Sequence, residues 1–254
     1  MYQDERLEII LKHLKEKKRM KNEEIYEILD ASKDTIRRDL IKLEEQNLIV
    51  RIRGGAKLYS FRPLAKNYSE RLLEASKEKE LIGREASKLI NEDEKVIFES
   101  STTVLSLAKN IDKKCDIITN SIDIAEILCD NEFVNVNMLG GKLNKKHKFF
   151  YGPSTIDSLS KFHVNKVFLG VLGISEEGLF QDDENEGYML KKMIEISEKV
   201  VVLVDHSKIN KKGFFKFCDL SQIDTIITDK EIDKKLMEVL KSYEIEIIIA
   251  KDDK

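Results

Sequence analysis

The sequence predicts an α/β chain in two unequal parts: a small head of three helices and a β-hairpin, then a larger, mainly parallel α/β domain. Three observations carry this reading. Between Ser32 and Ala56 a helix with one apolar stripe and one cationic face runs into two short β-like stretches joined at Gly54-Gly55. From Lys95 onward, short apolar runs alternate with helical ones, which implies a parallel sheet covered on both faces. The length of 254 residues allows one large domain or two unequal ones.

In the head, Leu7, Ile10, Leu11 and Leu14 recur at helical spacing, so 4–17 forms an amphipathic helix. Lys17-Lys18-Arg19 closes it with cations that suit the helix dipole. Asn22 is placed to cap a second helix over 23–29, with Ile25, Ile28 and Leu29 on its buried side. Asp30-Ala31-Ser32 turns the chain into the third. There Ser32 suits the N-cap. Ile36, Leu40 and Leu43 make the stripe, and Lys33, Arg37, Arg38 and Lys42 lie off it. A helix that is core on one side and cationic on the other fits a DNA major groove. After Leu48 the pattern is β-like, and the glycine pair marks a hairpin turn. The span 1–60 therefore reads as a winged helix-turn-helix.

By position, Thr35, Arg37 and Arg38 are the residues to reach DNA, on bases or on phosphate. Arg51 and Arg53, on the wing, suit phosphate or minor-groove contacts. Ser32, Lys33 and Lys42 complete the DNA-facing set. Asp39 has either a functional role or a structural one, orienting a neighbouring arginine or capping locally.

Charge is distributed to match. The chain carries a formal −3, yet seven Lys/Arg against four acids leave +3 between Ser32 and Lys57, so the remainder carries −6. A basic face on an acidic protein fits a DNA reader whose other half repels phosphate. A solvated helix with pairs such as Asp34–Arg38 would look similar. No apolar run is long enough to cross a bilayer, and the charged N-terminus is unlike a signal peptide. Cys115, Cys129 and Cys218 share no metal or disulfide spacing, which points to reduced thiols in the cytoplasm. His13, His147, His163 and His206 likewise share no ligand spacing, so neither metal nor cofactor is expected.

Arg62-Pro63 interrupts the pattern, and a polar, helix-favouring stretch follows over 66–91. We read 61–78 as linker and the start of a connecting helix, and 79–254 as the α/β domain. Its strands are expected near 96–98, 117–118, 134–139, 166–171, 200–204, 225–227 and 245–249. Helices are expected over 104–110, 122–129, 185–198 and 231–243.

In such sheets ligands sit beyond the carboxyl ends of the strands. That edge is polar here: Ser100-Ser101-Thr102-Thr103, Thr119-Asn120-Ser121, Gly140-Gly141 and Asp205-His206-Ser207-Lys208. Hydroxyls and free N–H groups at helix starts attract anions, phosphate above all, and Lys208 adds a full charge. Each cluster alone could be an N-cap; several on one edge favour a phosphate pocket. His147, in Lys145-Lys146-His147-Lys148, sits in a solvated loop or at the pocket mouth. Phe149-Phe150-Tyr151 and Phe214-Phe215 read as core or lid aromatics.

Thr35-Ile36-Arg37-Arg38-Asp39-Leu40, followed by Leu43, Leu48, Arg51 and Gly54-Gly55-Ala56, closely resembles the DNA-binding signature of DeoR-type bacterial regulators. Asn47 stands where that family has glycine, and it also tolerates a left-handed C-cap. Arg53 stands where the wing has histidine. Tyr68, Glu70-Arg71, Lys79, Ile82 and Ala86 match the family's connecting helix. Thr102-Thr103, Thr119-Asn120-Ser121, Leu139-Gly140-Gly141, Gly152, Glu186 with Met193, Asp205 to Lys208 and Ile227-Thr228-Asp229 follow in the family's order. The departures are Glu99 for aspartate, Ser101 for glycine and Gly187 for alanine.

The resemblance implies a sensor domain akin to sugar-phosphate isomerases and CoA transferases, binding a phosphorylated sugar or a related metabolite. Thr102, Thr103, Asn120 and Lys208 would then hold phosphate or nearby oxygens. Asp205 and Glu186 would contact ligand hydroxyls or brace Lys208. The expected protein is a repressor of sugar-catabolism genes. Its partners are double-stranded operator DNA, a phosphorylated sugar effector and its own copies, as a homodimer or homotetramer, because paired half-sites require at least two heads. No membrane partner is expected. The alternative is a sugar-phosphate isomerase-like or CoA-transferase-like enzyme fused to a DNA-binding head. Against it, no motif places a carboxylate for enediol proton transfer, and no catalytic residue is assigned.

Overall fold

Helical spacing in the first residues becomes a three-helix core. The computed structural model describes residues 2–17, 19–29, 31–45, 48–58, 68–73 and 76–252. The chain divides into two compact units, Met1–Arg62 and Pro63–Lys254. The first contains α1 (Gln3–Lys17), β1 (Arg19–Lys21), α2 (Asn22–Ile28), α3 (Lys33–Glu45), β2 (Ile49–Ile52) and β3 (Gly55–Leu58). Leu7, Ile10, Leu14, Ile25, Leu29, Ile36, Leu40 and Leu43 pack into one core. Ser32 caps α3: its Oγ accepts the Thr35 N–H at 3.2 Å.

Two details differ from the expectation. Asn22 does not cap α2 but lies in its first turn, its N–H donating to Gly54 O at 2.8 Å. The Glu24 carboxylate instead takes the Lys21 N–H at 2.7 Å. The wing is also a three-stranded sheet, β1-β3-β2, rather than a hairpin. Three residues with one buried side chain, Met20, are too short for any periodicity to reveal β1. Lys18, Asp30, Asn47 and the Arg62-Pro63 step, read as a helix end, a turn, a C-cap and the joint, lie outside the described residues.

The second unit runs α4 (Tyr68–Leu73), α5 (Ser76–Ser87), β4 (Glu94–Phe98), α6 (Thr102–Ala108), β5 (Cys115–Thr119), α7 (Ile122–Cys129) and β6 (Val134–Met138). Then come β7 (Lys142–Asn144), β8 (Phe149–Tyr151), α8 (Pro153–Leu159), β9 (Val164–Gly170), β10 (Gly173–Ser175), β11 (Gly178–Gln181) and α9 (Glu184–Glu195). It ends with β12 (Ser197–Leu203), β13 (Phe215–Cys218), β14 (Thr225–Thr228), α10 (Lys234–Ser242) and β15 (Glu246–Ile249). The expected connecting helix is described as α4 and α5, on either side of residues 74–75.

Seven strands form one parallel sheet in the order β15-β14-β12-β9-β4-β5-β6. Its central strands are apolar on both faces because alternate residues feed two layers. Ile97, Val167, Leu169 and Val202 enter one core. Val96, Phe98, Phe168, Val201 and Leu203 enter the other. The chain builds outward from β4 through β5 to β6, returns to β9 on the other side of β4, and continues to β12, β14 and β15. The reversal falls between β4 and β9.

Three additions were not anticipated: helix α8, a β10-β11-β13 sheet and the β7–β8 ribbon. Their strands are three or four residues long. Of the aromatics in question, Phe149 is buried in the core and Phe214 is exposed. Phe215 lies over Gly187, where an added Cβ would stand 2.3 Å from its ring. The ring therefore occupies the space that an alanine would need.

Candidate functional site

On the head, the apolar stripe of α3 turns its other face outward. Arg37, Arg38 and Lys33 are exposed, and Thr35 and Lys42 are half-buried. Arg51 and Arg53 are exposed on the wing. Lys33, Arg37 and Arg51 line one hollow between α3 and the wing turn, closed by Gly54 and Gly55. Lys33 lies 5.6 Å from the centroid of the Tyr26 ring. Lys42 is held back by Gln3 Oε1 at 2.9 Å. Ser32's hydroxyl is engaged in the cap. Asp39 takes the structural role: fully buried, it accepts from Arg6 Nε at 2.6 Å and Gln3 Nε2 at 3.0 Å, clamping α1 to α3.

In the second unit, a cavity of about 340 Å³ opens where the strand order reverses. A ligand site is expected there, because neighbouring loops diverge to opposite faces and leave a crevice. The volume suits a small metabolite. The end of β4 contributes Glu99, Ser101, Thr102 and Thr103, and the end of β9 contributes Gly170, Val171 and Leu172. Beyond β12 come Asp205, Ser207 and Lys208. Gln181, Asp182, Asp183 and Glu186 enter from the turn into α9. Asn144, Lys146 and His147 come from the β7–β8 ribbon, and Arg71 and Lys79 from α4 and α5.

Glu99 binds the two sides of the reversal together. Its Oε2 accepts the N–H of Ser101 at 3.0 Å and of Gly170 at 3.1 Å, while Ser100 Oγ donates to Oε1 at 3.2 Å. Burial raises its carboxyl, opposed by those donors. Glu186 is raised further, to about 8, by burial and then by the like charge of Glu99, against the pull of Arg71. Ser101 Oγ caps α6 through Val104 N at 3.1 Å. Asp205 is buried, and its carboxylate accepts the Ser207 N–H at 2.9 Å. Burial, then the charges of Arg71 and Lys146, push His147 down to about 4, so the ring is neutral near pH 7. The cavity thus offers Arg71, Lys79, Lys146 and Lys208 alongside Asp182, Asp183, Glu186 and Asp205. Cations suit an acidic ligand group, and carboxylates suit hydroxyls.

Of the residues expected here, Ser101, Thr102, Thr103, Glu186, Asp205 and Lys208 lie on the cavity wall. Thr119, Asn120, Ser121, Gly140 and Gly141 do not. They end β5 and β6, which lie beyond β4 on the side away from β9, and of the chain that follows these two strands it is the β7–β8 ribbon that reaches the crevice. Thr119 Oγ1 donates to Phe98 O at 2.8 Å, and Ser121 Oγ caps α7. Asn120 is buried, with Nδ2 donating to Phe150 O at 3.0 Å and Oδ1 unpartnered. Thr155 Oγ1 donates to Gly140 O at 2.8 Å. Gly141 has φ +150°, and a Cβ there would stand 2.2 Å from Thr155 Oγ1.

Sequence reasoning missed Arg71, Lys79, Gln181, Asp182 and Asp183 as wall residues. In the sequence, Arg71 and Lys79 stand out only as matches within the connecting helix. Among the described residues no cluster of His, Cys, Asp and Glu could hold a metal, and no helix is long and apolar enough to cross a membrane.

Residues 6–61 match the DeoR-like helix-turn-helix domain, and residues 74–230 match the DeoR C terminal sensor domain. The chain is 43% identical over 254 residues to the HTH-type transcriptional repressor GlcR of Bacillus subtilis, covering 100% of this chain and 98% of that one. It is 32% identical to a putative aga operon transcriptional repressor of Escherichia coli O157:H7, over 97% and 93% of the two chains. It is also 32% identical to the lactose phosphotransferase system repressor of Streptococcus mutans, over 96% and 99%. Among solved structures, ribose 5-phosphate isomerase A of Methanocaldococcus jannaschii aligns over 54% of this chain and 55% of that one. Its TM-score is 0.40 and its identity 16%, a likeness that carries no argument about function. A winged head with an exposed cationic helix, a parallel α/β body with a polar crevice, and matches running the length of the chain agree: the protein belongs to the DeoR family of DNA-binding transcriptional regulators.

Proposed function

We propose that this protein represses sugar-catabolism genes, and that a phosphorylated sugar in the cavity sets its grip on operator DNA. The observation that carries the effector reading is the mixed lining of the cavity. Arg71, Lys79 and Lys208 favour a phosphate, and Asp182, Asp205 and Glu186 favour sugar hydroxyls. The names of the relatives, repressors of an aga operon and of a lactose phosphotransferase system, support the sugar assignment. Thr102, Thr103 and Ser207 supply further hydroxyls. Arg37 and Arg38 contact the duplex from α3, with Lys33 and Thr35 beside them, and Arg51 and Arg53 hold phosphate from the wing. The protein acts in the cytoplasm as a homo-oligomer, because a two-fold operator presents two half-sites.

An effector moves such an equilibrium only by its difference in affinity between the DNA-bound and free forms. The test is fluorescence anisotropy of the full chain on DNA from upstream of its own gene, with and without a panel of pentose and hexose phosphates. One member of the panel should change operator affinity, and its unphosphorylated sugar should not. No binding to that DNA at low salt, or no response to any phosphorylated sugar, would rule the reading out.

A further inference from the structure

Arg71 stands apart from the other cations of the cavity. Its Nη2 meets His147 Nδ1 at 2.9 Å, and that ring is neutral near pH 7. Its Nε is buried without a hydrogen-bond partner. Among the described residues no carboxylate bonds to it directly, though its charge reaches Glu99 and Glu186, and the Tyr68 ring lies 5.6 Å from the guanidinium carbon. A permanently charged fork with a neutral partner and an orphaned donor is under-satisfied. A phosphate could take two of its N–H groups at once, which an imidazole nitrogen cannot.

The helix that carries Arg71 is fastened on its other side. Tyr68 Oη donates to Asp123 Oδ2 at 2.7 Å, and Lys148 Nζ reaches Asp123 Oδ1 at 3.0 Å. Lys148 and His147 are neighbours at the tip of the β7–β8 ribbon, and Lys79 Nζ donates to the Arg71 carbonyl. One short helix therefore touches α7, the ribbon and the cavity. It is also the first helix described after Arg62, where the DNA-binding unit ends.

We propose that Arg71 is the anion anchor of the cavity, and that through it a bound phosphate group tightens α4, the segment that follows the DNA-binding head in sequence. This deepens the phosphorylated-sugar reading and rests on it. In that arrangement Tyr68, Asp123 and Lys148 act as a fixed hinge, and Arg71 exchanges His147 for the ligand.

The test is hydrogen exchange on the full chain in inorganic phosphate, and with the sugar-phosphate panel, against chloride at matched ionic strength. Peptides covering 68–73 should exchange more slowly with phosphate, and Arg71→Met should abolish the change. Calorimetry should show phosphate or sugar-phosphate binding to Arg71→Met weakened roughly ten- to hundredfold, as for losing a hydrogen bond to a charged group. Should Arg71→Met fail to fold, wild-type protein decides. Phosphate should then slow phenylglyoxal labelling of Arg71, read by peptide mass spectrometry. Equal labelling with and without phosphate, unchanged exchange in 68–73, or equal affinity in Arg71→Met overturns the anchor. A sugar phosphate bound equally by wild type and Arg71→Met removes the anchor and leaves the sensor reading standing. Inorganic phosphate bound through Arg71, with no sugar phosphate bound, supports the anchor and removes the sugar.

Discussion

Ser101 and Gly170 share a single space at the mouth of the sheet: a Cβ built on Gly170 would lie 2.2 Å from Ser101 Oγ and 2.3 Å from Ser101 Cβ. Glu99 holds the pair together by accepting the N–H of both residues. The family pattern has glycine at the Ser101 position, so here the serine depends on glycine across the reversal.

That contact gives the first prediction. Gly170→Ala should destabilise the second unit by about 1–3 kcal/mol, the range for overpacking a filled site. Adding Ser101→Gly should recover part of the loss, although it also removes the α6 cap. Denaturant unfolding of the single and double variants checks this. A double variant less stable than Gly170→Ala alone would refute the shared-space account.

Arg37 and Arg38 are exposed on the outer face of α3 and support no core contact. Alanine at either should leave stability within about 0.5 kcal/mol of wild type. Each should cost about 1–3 kcal/mol of operator binding. Gel-shift titration beside thermal unfolding separates the two effects, and unchanged binding in the double variant would exclude α3 as the reading helix.

Asp39, one residue further along, should behave in the opposite way. Asp39→Ala removes the buried carboxylate that Arg6 and Gln3 share and unclamps α1 from α3. The head should unfold at a lower temperature, and operator binding should fall with it. A head that melts normally but has lost DNA binding would instead mark Asp39 as a contact residue.

Glu186 predicts a pH dependence. Its carboxyl rises from 4.5 to about 8 in the folded chain, so the folded state holds a proton that the unfolded state releases. Stability from this group is present below about pH 4.5, declines as pH rises, and is fully lost above about 8. Glu186→Gln should flatten that decline in urea unfolding between those limits. Above about pH 8 the ionised carboxylate should also repel an anionic ligand, so phosphate affinity should fall in wild type and less in the variant. Identical pH profiles for the two proteins would contradict the assignment.

The head was legible in the sequence because its determinants are local. Ile36, Leu40 and Leu43 set the face of α3, Ser32 sets its start, and Gly54-Gly55 sets the wing turn. The strands of the body were legible for the same reason, since apolar runs such as Val200 to Val204 are self-evident. Three-residue elements such as β1, β7 and β10 were not, because periodicity needs more residues than they contain.

The cavity was legible in part. Ser101, Thr102 and Thr103 follow β4 at the reversal, and Asp205 and Lys208 follow β12, the next strand beyond β9, so a polar strand end was a sound guide to them. Thr119, Asn120 and Gly140 follow β5 and β6, on the other side of β4, and their polarity serves caps and turns. Arg71 comes from a helix that precedes the whole sheet, and no strand-end rule points to it.

The amino-acid order by itself determined the two-part architecture, the cationic outer face of α3 and the family, because spacing, caps and turns act between residues a few positions apart. Only the tertiary structure decided which strand ends meet, that Glu99 ties Ser101 to Gly170, and that Arg71 enters the crevice. Strand neighbours are chosen by packing between distant segments, and β4 lies beside β9, some seventy residues away, as well as beside β5.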